Sequence, residues 1–134
     1  MNIEYKTIKE IGKQELQDLF LANKWDSGNY PDKLQIAIRN SSAVYTAWDG
    51  DKLIGLVNVL SDGIMNAYLH YVLVHPDYQG HGIASMLIKF FLEEHKDYMR
   101  RVIISYPESV SFYEKNGFKV APDKTTLFLT NLKT

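Results

Sequence analysis

A chain of 134 residues with a formal net charge of −1 and no cysteine has the size of one domain, residues 1–134, able to bury one substantial core. With a net charge near zero and Arg100-Arg101 as the only basic doublet, a broad basic face is disfavoured and no nucleic-acid partner is expected; without a thiol there is neither a disulfide frame nor cysteine catalysis. No apolar run has the length of a signal peptide or a membrane span, so no membrane partner is expected and a cytoplasmic location is the default.

The expected elements follow in chain order. Residues 2–8 alternate Ile3, Tyr5 and Thr7 with polar neighbours and predict a strand. Residues 13–23 put Leu16, Leu19, Phe20 and Asn23 on one helical face. A loop over 24–30 holds Trp25, Gly28 and Tyr30. Pro31 opens a second helix in its favoured first turn, with Leu34, Ile36, Ala37 and Ile38 as its apolar side. Residues 43–48 and 52–60 form a hairpin around Asp49-Gly50, a strong turn signal.

A fourth strand covers 66–74. The third helix covers 82–96, with Ile83, Leu87, Phe90 and Phe91 at i, i+4, i+7 and i+8, and Lys89, Glu93 and Lys96 facing outward. A fifth strand is expected over 102–106 and a short fourth helix over 109–115, ended by Gly117 in a left-handed conformation. Residues 118–121 and 125–130 read as a closing antiparallel pair around Pro122-Asp123. Strands and helices alternating in the middle, with hairpins at both ends, predict an α/β fold built on a mixed sheet.

The most informative stretch runs Val72-Leu73-Val74-His75-Pro76-Asp77-Tyr78-Gln79-Gly80-His81-Gly82-Ile83-Ala84-Ser85. An apolar strand ends at a proline, turns, and passes through two glycines into a helix. The first N–H groups of a helix lack intrahelical acceptors and carry the positive end of its dipole. Glycines there let a phosphate approach without meeting a Cβ. A strand-loop-helix crossover using glycines for packing alone is the plain alternative. A P-loop is excluded because no lysine follows Gly82, and a dinucleotide fingerprint fails because position 85 is Ser85.

Gln79-Gly80-His81-Gly82-Ile83-Ala84 resembles the (Arg/Gln)-x-x-Gly-x-(Gly/Ala) motif of the GNAT superfamily of acetyl-CoA-dependent N-acetyltransferases. Downstream, Phe112-Tyr113-Glu114-Lys115-Asn116-Gly117-Phe118 looks like the Phe-Tyr-x-x-x-Gly-Phe segment of the same fold. The resemblance implies the GNAT acyltransferase fold, with about seven strands and four helices. It implies acetyl-CoA as co-substrate with no metal, and a small-molecule amine as acceptor, acetylated by direct attack in a ternary complex. The chain carries no added peptide-binding segment, which favours a small amine over a protein amine. A homodimer is left open. The rival readings are a non-catalytic acyl-CoA-binding or regulatory module, transfer to a protein amine, and transfer to a hydroxyl.

By the same resemblance, the backbones of Val72, Leu73 and Val74 pair with the pantetheine amides, imitating a strand edge, and one N–H serves the oxyanion. Gln79, Gly80, His81, Gly82, Ile83, Ala84 and Ser85 hold the pyrophosphate, mostly through main-chain donors. Tyr113 falls where a tyrosine donates to the coenzyme sulfur; the alternative is one more packed aromatic beside Phe112 and Phe118. Tyr106 stands near where many relatives place an asparagine, so no coenzyme contact is carried over to it.

An alkyl amine has a pKa of about 10.4, so only about one in 2500 is free to attack at pH 7. Histidine, at about 6.5, is suited to taking the proton. His70 is the candidate, with alternation placing Tyr68, His70 and Val72 on one strand face. Leu69-His70-Tyr71-Val72-Leu73-Val74-His75 resembles the corresponding strand of arylalkylamine N-acetyltransferases, where histidines at the positions of Tyr68 and His70 shuttle protons; only the second is present. A hydrogen-bonded core histidine is the alternative. His75 and His81 read as connector and loop residues, and His95 as solvated. Trp25, Tyr30, Tyr68 and Tyr71 form either an aromatic wall for the acceptor or ordinary core and rim.

Overall fold

The computed structural model describes residues 2–134. β1 (Ile3–Lys6), β2 (Ala43–Asp49), β3 (Lys52–Ser61), β4 (Asn66–Val74) and β5 (Arg100–Ile103) form one sheet in the order β1-β2-β3-β4-β5. The first four strands pair antiparallel, and β5 lies parallel to β4. The helices are α1 (Lys13–Ala22), α2 (Pro31–Arg39), α3 (Ile83–Glu94) and α4 (Val110–Lys115).

β3 is the centre of the sheet, and Leu53 to Val59 are buried without interruption. Such a run, apolar on both sides, needs cover on both faces of the sheet. On one face, Leu16, Leu19 and Phe20 of α1 and Leu34 and Ile38 of α2 pack with Val44, Leu56, Tyr71 and Leu73. On the other, Ile83, Leu87, Ile88 and Phe91 of α3 pack with Tyr45, Ala47, Ile54, Val57 and Leu69. Gly55 brings α3 close: a Cβ there would stand 3.0 Å from Ile83 Cγ2 and 3.2 Å from Leu87 Cδ1. The β2–β3 hairpin turns through Gly50 at φ +60°, where glycine carries no steric cost.

Among the described residues five strands form where about seven were expected. Residues 118–130 contain no strand; Lys124 N–H donates to the Ala121 carbonyl and closes a turn without a ladder beyond it. Leu127, Phe128 and Leu129 are consecutive rather than alternating, so no strand register buries all three on one face. All three are exposed, Leu129 completely. The chain then returns to the turn after α1, where Lys133 N–H donates to Asp26 Oδ2 at 2.9 Å and Asp26 N–H donates to Thr134 Oγ1 at 2.6 Å. β5 also starts and ends earlier than expected, because its parallel partner on β4 extends only from Asn66 to Leu69.

β4 carries a bulge that alternation did not foresee. Val57 pairs with Val72 and Val59 with Leu69, so Asn58 alone faces both His70 and Tyr71. The extra residue switches the faces of the strand. Ala67 and Leu69 pack on the α3 side, whereas Tyr71 and Leu73 pack on the α1 side and Val72 returns to α3. The expected common face of Tyr68, His70 and Val72 is therefore broken after His70.

Candidate active site

The site begins where two parallel strands part. β4 and β5 are paired up to Leu69–Ile103, but β4 continues to Val74 with only β3 beside it. Val72, Leu73 and Val74 thus have one edge in a ladder and one edge without a strand neighbour. Their side chains do not line the opening: Leu73 is buried under α1, and Val72 and Val74 pack toward α3. What the segment offers is backbone N–H and C=O groups, which are obligatory hydrogen-bonding groups.

The chain leaves β4 through His75 and a 3-10 turn at Pro76–Tyr78. His75 Nδ1 accepts from Asp77 N–H at 3.1 Å, and Tyr78 Oη donates to Asp49 Oδ2 at 2.5 Å, which ties the connector to the hairpin. Gln79 Nε2 donates to the Val74 carbonyl at 3.4 Å. Gly80 and Gly82 take φ of +84° and +75°, with open space where a Cβ would stand. Gly82 caps α3, and the first bond of that helix is Met86 N–H to the Gly82 carbonyl. The N–H groups of Ile83, Ala84 and Ser85 therefore point out of the helix start with no intrahelical acceptor. No acidic side chain occupies that first turn. Ile83 itself is buried in the core, so it contributes backbone only.

His70 is half-buried, and desolvation lowers its pKa below the ordinary histidine value. Its ring lies 5.3 Å from Tyr68 and 4.1 Å from Tyr71, centroid to centroid. The bulge brings His70 and Tyr71 together, and Asn58 holds it. Tyr71 N–H donates to Asn58 Oδ1 at 2.8 Å, and Asn58 Nδ2 donates to Ser41 Oγ at 3.0 Å. Tyr71 is anchored at its other end by a 2.6 Å hydrogen bond with Ser27 Oγ.

Of the four aromatic candidates, Tyr68 and Tyr71 lie against His70, and Trp25 joins them through Tyr71, the two rings 5.6 Å apart. Tyr71 is a core residue that also reaches this cluster. Tyr30 is exposed and has no ring contact with the others. Tyr106 lies beside Trp25, with ring centroids 5.9 Å apart. Sequence spacing could not supply Tyr106 or Asn58, because each joins the cluster through a partner far away in the chain.

Tyr113 projects from α4 between Phe112 and Phe118, at 5.1 and 6.0 Å. Burial pushes its hydroxyl up to about 12, so it stays protonated at neutral pH. It lines a groove of about 580 Å³ together with Ile103, Ser105 and Phe118 beside the end of β5. The rings of Tyr113 and His70 share no contact partner; they flank the parting of β4 and β5 from different elements. His81 is exposed in the glycine loop. His95 departs from expectation: it is 5% exposed, its Nδ1 lies 2.8 Å from the Phe91 carbonyl, and it packs on Phe91 and Tyr98. Its spacing of four from Phe91 continues the inner face of α3 past the helix end.

The model of the acetyltransferase (GNAT) domain matches residues 40–120, from the start of the β2–β3 hairpin region to just beyond α4. The chain belongs to the GNAT acetyltransferase family. An uncharacterized N-acetyltransferase, ycf52, of Pyropia yezoensis is 31% identical over 132 residues, covering 90% of this chain and 75% of that protein. A ycf52-like N-acetyltransferase of Prochlorococcus marinus is 27% identical, covering 88% and 68%. Among solved structures, a GNAT-family acetyltransferase of Streptococcus pneumoniae TIGR4 superposes with a TM-score of 0.81 at 27% identity, covering 97% of this chain and 98% of that one. The chain is thus an acetyltransferase enzyme of the GNAT kind, a family that generally uses acetyl-CoA and acts on amine acceptors. Among the described residues no helix is long and apolar enough to cross a membrane.

Proposed function

We propose that residues 1–134 act as one GNAT unit that transfers an acetyl group from acetyl-CoA to the amine of a small molecule, by direct attack in a ternary complex. The observation that carries this reading is the edge of Val72, Leu73 and Val74 that has no strand beside it, continuous with the unfilled helix start after Gly80 and Gly82. That edge suits the amides of a pantetheine arm, and the N–H groups after Gly82 suit a pyrophosphate. Bound there, acetyl-CoA supplies an activated acyl group and a thiolate leaving group.

The protein's own groups then divide the proton work. His70, kept neutral by burial, accepts a proton from the amine directly or through water. Tyr113, protonated at neutral pH, donates toward the departing sulfur. A backbone N–H of β4 faces the acyl oxygen as negative charge develops on it. Trp25, Tyr68, Tyr71 and Tyr106 border the acceptor side, and their rings favour an amine that carries an apolar body.

Calorimetry with acetyl-CoA and a thiol-release screen across small amines test this reading. Gly82→Asp would force a side chain into a left-handed position and set a negative charge at the helix start. Affinity for acetyl-CoA is expected to fall by at least about tenfold, or about 1.4 kcal/mol. Unchanged affinity in the folded variant would remove the loop from the site. Binding without turnover on any amine of the panel would remove the small-molecule acceptor.

A further inference from the structure

The open face beside His70 extends beyond the aromatic cluster. Cross-strand partners share a face of a sheet, and successive residues of a strand alternate between faces. Leu60 of β3, Tyr68 of β4 and Val102 of β5 are partners in one row across three strands. Their chain neighbours Val59, Ala67, Leu69 and Ile103 all pack on the α3 side. The row therefore faces the α1 side, but it lies past the end of the cover there. The layer of α1 and α2 closes over Val44, Leu56, Tyr71 and Leu73 and includes none of the three. Leu60 is 42% exposed and Val102 40%. Tyr68 is half-buried, and its ring lies against His70.

The next row ends in a charge. Asn66 pairs with Arg100, so Arg100 rises from the same face as Tyr68 and Val102. It is exposed and forms no ion pair among the described residues. Asp62, linked to this row by Asn66, has both carboxylate oxygens engaged. Its Oδ1 accepts from the N–H groups of Ile64, Met65 and Asn66, and its Oδ2 from the Asn66 side-chain amide. Arg101 belongs to the opposite face and donates to the Leu92 carbonyl of α3 at 3.3 Å. Of two adjoining cations, one is bound to its own fold and the other stands over the open face.

A strand rises about 3.3 Å per residue, so Arg100, level with Asn66, stands about 13 Å along β4 from His70, with the apolar row midway. A proton acceptor, an apolar strip and a cation thus follow one another on one face, continuous with the candidate active site. An alkyl amine would cover the strip and leave the guanidinium unused, and a wholly polar amine would leave the strip in water. An amine with an apolar middle and a carboxylate at its far end meets all three, because a guanidinium binds a carboxylate through paired N–H groups. We infer that the acceptor is an amine of this kind, and that Arg100 is the residue that selects its carboxylate. The inference rests on the acetyl-transfer reading in taking His70 as the amine end.

An NMR titration of the whole chain with coenzyme A present, which carries no acyl group to transfer, compares 8-aminooctanoate with octylamine, its counterpart without the carboxylate. Both are expected to shift the signals of Tyr68, His70 and Val102 saturably. The amino acid should bind about threefold more tightly and shift the Arg100 side chain as well. Arg100→Gln should erase that preference, and Arg100→Lys should keep part of it. Arg101→Gln makes the same change of charge one residue away on the other face, and should keep the preference. Leu60→Asn should weaken the binding of both amines. Absence of saturable shifts, equal affinity for the two amines, a preference that survives in Arg100→Gln, or one lost equally in Arg101→Gln would each overturn the inference. So would self-association that shields Leu60 and Val102 from solvent, because a second copy would then be the cover of this face. Failure of the transfer reading looks different: the preference holds and depends on Arg100, but neither amine releases thiol from acetyl-CoA.

Discussion

His70 sits where burial, with no charged partner, decides its protonation. Its lowered pKa keeps the ring neutral at pH 7 and available to accept a proton. If it is the base, kcat/KM should fall as pH drops through a value below the ordinary 6.5 or so. His70→Gln should abolish that acid limb; a limb unchanged in the folded variant assigns the titration to the amine or another group. The same shift has a stability consequence. The unfolded chain takes up this proton at a higher pH than the folded one, so His70 weakens the fold as pH falls from its unfolded value through its folded value. That portion of the curve should flatten in His70→Gln. Tyr113 is the complementary case, with a hydroxyl held protonated at about 12. Tyr113→Phe should preserve acetyl-CoA binding and reduce turnover by about 10²–10⁴-fold if it is the acid. A change within about twofold, where chemistry limits the rate, would assign Tyr113 to packing with Phe112 and Phe118.

The decisive device among the elements is the β4 bulge. Asn58, buried on β3, replaces the ladder partner that Tyr71 N–H loses, and its own amide N–H donates to Ser41 Oγ. One inserted residue exchanges the faces of everything after it, which sends Tyr71 to α1 and Val72 to α3. Asn58→Ala would leave the Tyr71 amide unpaired in a buried position. A loss of about 1–3 kcal/mol is expected from chemical denaturation. Faster amide exchange at Tyr71 should accompany it; an unchanged amide would mean that the bulge stands without Asn58.

Over the whole molecule, stability is concentrated in the sheet and the helices on its two faces, and the last part of the chain contributes little apolar burial. Ile88 is fully buried between α3 and the sheet, whereas Leu129 is fully exposed. Ile88→Ala is expected to cost about 2–5 kcal/mol. Leu129→Ser should stay within about 0.5 kcal/mol, and Phe128→Ser should behave alike. A large loss at Leu129 in equilibrium unfolding would place residues 125–130 in a ladder or an interface instead of in solvent.

Much of this architecture is local information. The Asp49-Gly50 turn, the proline start of α2, the apolar period of α3 and the two glycines before it each act within a few residues, and the sequence alone determined them, together with the order of elements from β1 to α4 and the family. The carbonyl of Gly82 begins α3 because no side chain obstructs that turn, and this too is a local matter. The rest depends on partners distant in the chain. Alternation along 66–74 predicts one face for Tyr68, His70 and Val72, but the bulge opposite Asn58 overrides it. The segment over 118–130 has strand-forming residues, yet a strand exists only where a neighbour completes its hydrogen bonds, and none does so here. His95 looks like a solvated helix end until Phe91 and Tyr98 close over it. Tyr106 joins Trp25 only because the end of β5 and the loop after α1 meet above β4. Periodicity records which residues share an element, but register and bulges are settled by pairing across the sheet, and only the tertiary structure contains that pairing.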